Sequence, residues 1–238
     1  PAYVSGRRVK ADGSGLNGGG FTIAAHGNEN RVNPDVAYNL ARNEYLVVYD
    51  NAVDVFGVRL RGDGVALGGG EFGIAGWPDR EQHPAVAACA AADQYLVAWQ
   101  SLQYNHDDDV FVRFIRGDGT PESVHHLFST VVNENEPSVA CDQGGTQYMV
   151  SFQIQYSNLS GPFGIRGQRL LPDKTMLPSI EVAAPPAGSN VSSSQPAIAG
   201  GGANFLVVWE QDRAGTSFQD IHGRLLAPEA LFLPGVLR

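Results

Sequence analysis

Lysine is almost missing from this chain. Of its 16 basic side chains only Lys10 and Lys174 are lysines, and the arginines form no cluster. The formal charge is -9. A nucleic-acid binder carries a basic face, so neither nucleic acid nor an anionic membrane surface is expected as a partner. Charged residues are scarce as a whole, at 17 % against the usual quarter. No run of about 18 apolar residues occurs, so no transmembrane helix is expected. Segments of ten or more residues with a 3.6 period are missing too, and glycine interrupts every candidate helix. Only Cys89 and Cys141 are cysteines, which is too few for a disulfide-built scaffold and gives no C-x-x-C.

What is abundant is turn chemistry and repetition. The 29 glycines and 14 prolines are scattered, not clustered, which reads as many turns. Four kinds of segment recur in a fixed order. The first is Pro-led and small: PDVAY (34–38), PAVAA (84–88), PSVAC (137–141) and PAIAG (196–200). The second is aromatic and aliphatic: EYLVVYD (44–50), QYLVAWQ (94–100), QYMVSFQ (147–153) and NFLVVWE (204–210). The third mixes arginine with aliphatics and begins at positions 3, 54, 109, 164 and 220. The fourth is short and apolar, at 20–24, 71–75, 126–130, 179–183 and 230–234. A period near 50 residues holding four short strands predicts an all-β chain of four-stranded antiparallel blades, a β-propeller.

The chemistry of each segment suits a place in a blade. Proline is tolerated at the first residue of a strand, and small side chains suit the crowded strand nearest the axis. A second strand that is apolar on both faces fits between neighbouring blades. Its closing aromatic, Tyr49, Trp99, Phe152 or Trp209, supplies the large contact. The polar residue that follows (Asp50, Gln100, Gln153, Glu210) recurs by position, which predicts a shared structural hydrogen bond. Asp-Gly after the third strand is turn chemistry. It accounts for both RGD triplets, Arg61–Asp63 and Arg116–Asp118, without a role in cell adhesion.

The combined pattern, P-x-[VI]-A, then [YF]-L-V-V-[WY], then D-[IV]-x-G-x-R-L and D-G, resembles the β-propeller repeats of secreted, multidomain bacterial proteins. It covers essentially all of residues 1–238 as one domain. Residues 3–24 make a half blade, and 34–75, 84–130, 137–183 and 196–234 make four complete ones. The resemblance implies a blade and no catalytic residue. Eighteen strands leave the ring open to several readings: a fragment of a larger propeller, four blades with an extra hairpin, five blades with one incomplete, or an open stack.

The loops from strand two to three and from strand four to the next blade are long and varied, and that face is the expected binding face. Trp77, Tyr104 and Tyr156 lie there with Asp79, His106 and Asp108. Aromatic rings beside carboxylates and amides are how proteins hold sugars, so these six are the candidate ligand-binding residues. No cofactor is expected. Asp107, Asp108 and Asp109 are a weak candidate Ca²⁺ site, because hard cations take clustered oxygen ligands, but the D-x-D-x-D-G spacing is absent. The cysteines are expected as buried free thiols, since packed sheets stand ~10 Å apart and a bridge needs Cα atoms within about 7 Å. No H-E-x-x-H, G-x-S-x-G, P-loop or sialidase-type Asp-box is present.

These observations favour a non-catalytic interaction or ligand-binding module, extracellular or periplasmic, whose partner is a protein, the remainder of a larger chain or a glycan. The alternatives are a lectin-like propeller and a hydrolase or lyase using Asp79, Glu81, Asp108 or Glu134. Two carboxyl groups facing each other about 5–10 Å apart would favour the enzyme.

Overall fold

The structure, a computed structural model, describes residues 1–16, 19–25, 27–102, 107–128, 130–156 and 161–227. Tyr104, His106 and the fourth strand expected at 230–234 lie outside the described residues. The described chain is all-β, and its five antiparallel sheets follow one another in sequence. The first sheet pairs β1 (Val4–Gly6) with β2 (Phe21–Ala24). Three four-stranded sheets follow. They are β3 (Val32–Asn39) to β6 (Ala66–Ala75), β7 (Arg80–Cys89) to β10 (Pro121–Phe128), and β11 (Glu134–Cys141) to β14 (Ile180–Ala183). The last contains β15 (Ser193–Gly201), β16 (Asn204–Asp212) and β17 (Gln219–Leu226). β3 packs beside β7, β7 beside β11 and β11 beside β15. The first strands therefore gather around one axis, and the chain is a β-propeller.

The core is a series of sheet-to-sheet interfaces. Leu46, Val48 and Val55 of one sheet meet Val86, Tyr95, Val97 and Trp99 of the next. Leu96, Ala98 and Phe114 then meet Tyr148, Val150 and Phe152, and Met149 and Ile165 meet Phe205, Val207 and Trp209. Alternate side chains of one strand point to opposite faces. Each second strand thus serves two interfaces, which is why it is apolar at consecutive positions.

The first strands begin earlier than the Pro-led segments suggest. Each carries a register break around its proline: between Val32 and Asp35, Gln82 and Ala85, Asn135 and Ser138, and Ser194 and Ala197. Proline offers no N–H to the ladder, so pairing stops there and resumes beyond. The residue just before it, Asn33, His83, Glu136 or Gln195, takes a left-handed backbone with φ of 49, 54, 51 and 50°. Behind the break the first strands are laced together. The Asp35 carboxylate accepts the Val86 N–H at 2.8 Å, and Ser138 Oγ accepts the Ile198 N–H at 3.3 Å.

The cysteines correct the sequence reading. Cys89 and Cys141 form a disulfide, with Cα atoms 5.5 Å apart. The ~10 Å spacing holds for the broad faces of packed sheets, but blades narrow toward the axis. There β7 and β11 come close enough to be bridged.

Candidate functional site

The four left-handed residues stand at the start of the axial strands, at the end of the molecule that carries the long loops. Side chains rarely hold this backbone conformation, and where they do the site is often functional. β-Bulges gather beside active sites for the same reason: they re-aim a side chain. Here the aim is inward and polar. Asp50, the buried residue after the closing aromatic Tyr49, accepts the Asn33 side-chain amide at 2.8 Å and the His83 backbone N–H at 3.0 Å. Gln100 Oε1, one blade on, accepts the Glu136 backbone N–H at 3.1 Å. His83 Nδ1 lies 3.4 Å from Glu136 Oε2. Asn33, Asp50, His83, Glu136 and Gln100 thus form one polar chain across β3, β7 and β11.

The electrostatics of this chain are uneven. Glu136 beside it raises the His83 imidazole, and Asp50 and Asp108 add to that. In return, His83 holds the Glu136 carboxyl below its ordinary value. Asp108, half-buried at the start of β9 (Asp108–Arg116), goes the other way. Burial raises its carboxyl, against the pull of the His83 and Arg80 charges. Its backbone N–H is tied to Asn133 Oδ1 at 3.0 Å. One end of the axis therefore holds one carboxyl pulled below its ordinary value and another pushed above it, the kind of divergence that acid–base chemistry uses.

The candidates from sequence separate. Asp108 belongs to the axial cluster. Trp77 is exposed and packs edge-on against Phe111, with ring centroids 5.3 Å apart. Asp79 is half-buried, and its charge helps to raise Glu81. Tyr156 stands apart, its hydroxyl donating to Glu181 Oε2 at 2.8 Å on the third four-stranded sheet. Among the described candidates, Trp77 and Tyr156 thus make their contacts on different sheets.

Glu81 and Glu134 occupy matching places, two residues before His83 and Glu136, and both are fully buried. Burial pushes Glu81 up to about 7, with Asp54 and Asp79 adding to it and the Trp77 N–H opposing. Burial pushes Glu134 up to about 8, assisted by Asp109 and Asp107, while the Thr130 hydroxyl donates to it. Neither can touch a ligand in this arrangement. The third matching place holds Arg31, buried against Glu71 at 3.0 Å and over the Phe56 ring at 4.8 Å.

The Asp107–Asp109 run does not converge on an ion. Successive strand residues face opposite sides: Asp108 faces the His83 cluster, while Asp109 lies 3.4 Å from His126 and beside Glu134. Among the described residues no group of three or more His, Cys, Asp or Glu is placed to hold a metal.

Asp108 apart, the axial residues were not among the candidates from sequence. Their signal was there: the position before each strand-one proline reads Asn, His, Glu and Gln. A polar column of that kind has no place in a buried strand unless the backbone turns it out.

No family model matches the chain, and no curated relative does. Solved structures do. An endo-arabinase from Bacteroides thetaiotaomicron superposes over 81 % of this chain and 74 % of its own, with a TM-score of 0.55 at 13 % identity. An α-L-arabinanase from Penicillium chrysogenum, solved with arabinobiose, superposes over 84 % and 63 %, with a TM-score of 0.58 at 16 % identity. An α-L-arabinofuranosidase from Fusarium graminearum does so over 84 % and 64 %, with a TM-score of 0.57 at 13 % identity. At such identities the likeness is one of fold. It nonetheless corrects the expectation of a non-catalytic module, because the propellers that this backbone resembles are enzymes.

Proposed function

We propose that the chain is a carboxylate-based glycoside hydrolase acting on arabinan-like polysaccharides at the axial end of its first strands. One observation carries the reading: Glu136, its carboxyl lowered by His83, and Asp108, its carboxyl raised by burial, both act on the same histidine. Hydrolysis of a glycosidic bond needs a proton donor for the leaving oxygen and a carboxylate for the opposite face. Asp108 is the donor in this scheme and Glu136 the carboxylate. His83 positions Glu136, and Asp50 fixes the His83 backbone. The choice of arabinan rests on the arabinan-cleaving enzymes among the matching folds. An extracellular or periplasmic location fits both the disulfide, since bridges persist in oxidising compartments, and a polymeric substrate.

The test is release of reducing sugar from debranched arabinan, with galactan and xylan as companions. Glu136→Gln and Asp108→Asn should each lower kcat by about 10²–10⁴-fold, the usual contribution of one acid–base group, with melting temperatures retained. No turnover of any of these polymers by the unaltered chain overturns the proposal. Saturable binding without turnover would point to a lectin-like propeller instead.

A further inference from the structure

The repeat register states which residue of each sheet should be covered, and at one place the covering is missing. Val36, Val86 and Val139 hold the same position in β3, β7 and β11. Val86 and Val139 are 5 % and 9 % exposed, Val36 55 %. Tyr45 matches Tyr95 and Tyr148, which are both 0 % exposed, yet Tyr45 is 37 % exposed. On the last sheet, Leu206 matches Leu46 and Leu96, and Ile221 matches Val55 and Val110. All four counterparts are fully buried, whereas Leu206 is 46 % exposed and Ile221 73 %. The rear face of the β3–β6 sheet and the front face of the β15–β17 sheet are therefore both built as interfaces.

Only part of one of them is covered. β1 and β2 place Val4 and Ala24 on Val47, Tyr49, Val58 and Leu60. By sequence type and position, β1 and β2 are the third and fourth strands of a blade. β1 pairs with β2 alone, so its other edge carries no ladder among the described residues. Beside that edge runs an open groove of about 620 Å³, lined by β1 together with Phe21, Asp35, Val36, Tyr45 and Val47.

We propose that this groove receives a two-stranded antiparallel β-ribbon with the chemistry of the repeat's own first two strands: a small Pro-led strand, then a strand closing on an aromatic. The edge of β1 selects backbone in the extended form, because a free ladder is satisfied by another strand. The second strand of the ribbon lies along β1, as β4 lies along β5 (Val55–Arg61) and β16 along β17. Its apolar face covers Tyr45 and Val36, as Leu46 and Val55 cover Tyr95 and Val86 one blade further on. A flat apolar partner or a helix would leave the β1 ladder unpaired, which is what decides for the ribbon.

The test adds a copy of residues 193–212, the chain's own first and second strands from the last sheet, ahead of Pro1 through a short Gly/Ser linker. Amide hydrogen exchange at Val4–Gly6 should slow by about tenfold or more, because β1 gains a ladder, and the melting temperature should rise. A scrambled ribbon of the same composition should do neither. Val36→Asp should remove the protection in the extended chain and leave the melting temperature of the unextended chain unchanged. Unaltered exchange at β1 with the native ribbon overturns the proposal. So does sedimentation of the unextended chain as a dimer whose β1 amides are already protected, because a second copy would then be the occupant.

Discussion

Glu134 shows how a single buried carboxyl sets the response of the fold to pH. Its pKa rises from an ordinary 4.5 to about 8 in the folded chain, so the native state holds a proton that the unfolded chain releases. Where the native state binds more protons, stability falls as pH rises. The window runs from about 4.5, the unfolded value, up to about 8. Glu134→Gln keeps the size and the neutral charge without the titration. The variant should match the parent near pH 5 and melt at a higher temperature at pH 8, measured by calorimetry across that range. A parent whose melting temperature is flat between these values would rule out the shift. No property of the residue in sequence announces this behaviour. Glu134 and Glu136 are two positions apart, and only the bulge between them sends one into the blade interface and leaves the other on the axis.

At the scale of the element, the strands themselves were legible because their chemistry repeats. An apolar pair, a closing aromatic and a following polar residue recur because every second strand meets the same two neighbours. The axial bulge was not legible, because proline was read only as a strand start. Its lack of an N–H also breaks the ladder, and at that break the preceding residue takes the left-handed conformation. Gln195 isolates that cost, since it is exposed and precedes Pro196 with φ of 50°. Gln195→Gly should stabilise the chain by up to about 1 kcal/mol by relieving the left-handed strain. Gln195→Val, β-branched, should destabilise it by about 1–2 kcal/mol. Denaturant melts of the two variants check the sign; equal midpoints would mean that the last sheet is relaxed where the first three are strained. The same strain at His83 and Glu136 is retained, on this view, because those side chains are needed on the axis.

At the scale of the whole molecule, the closure of the wedge between blades decided what sequence could not. Cys89 and Cys141 sit 52 residues apart, a full repeat, and nothing in their spacing distinguishes a bridge from two buried thiols. The distinction lies in where along the strand they fall. Both are at the ends of first strands, near the axis, where neighbouring blades converge. The bridge joins the second four-stranded sheet to the third with no help from their broad interface. Closing a loop of 52 residues removes chain entropy from the unfolded state equivalent to about 4 kcal/mol in the polymer estimate. Cys89→Ser with Cys141→Ser should therefore lower the unfolding free energy by about 2–5 kcal/mol, with the urea slope slightly raised as the unfolded chain expands. The same loss should follow reduction by dithiothreitol in the parent and be absent in the double variant. A parent whose stability ignores reductant would mean that the two sheets are held by Val112, Phe114, Tyr148 and their neighbours alone. The axial residues of β7 and β11, His83 and Glu136, face each other across that junction. Loosening it should also lengthen the contact between them, so the histidine should titrate closer to its ordinary value in the reduced chain, as followed by NMR of the imidazole.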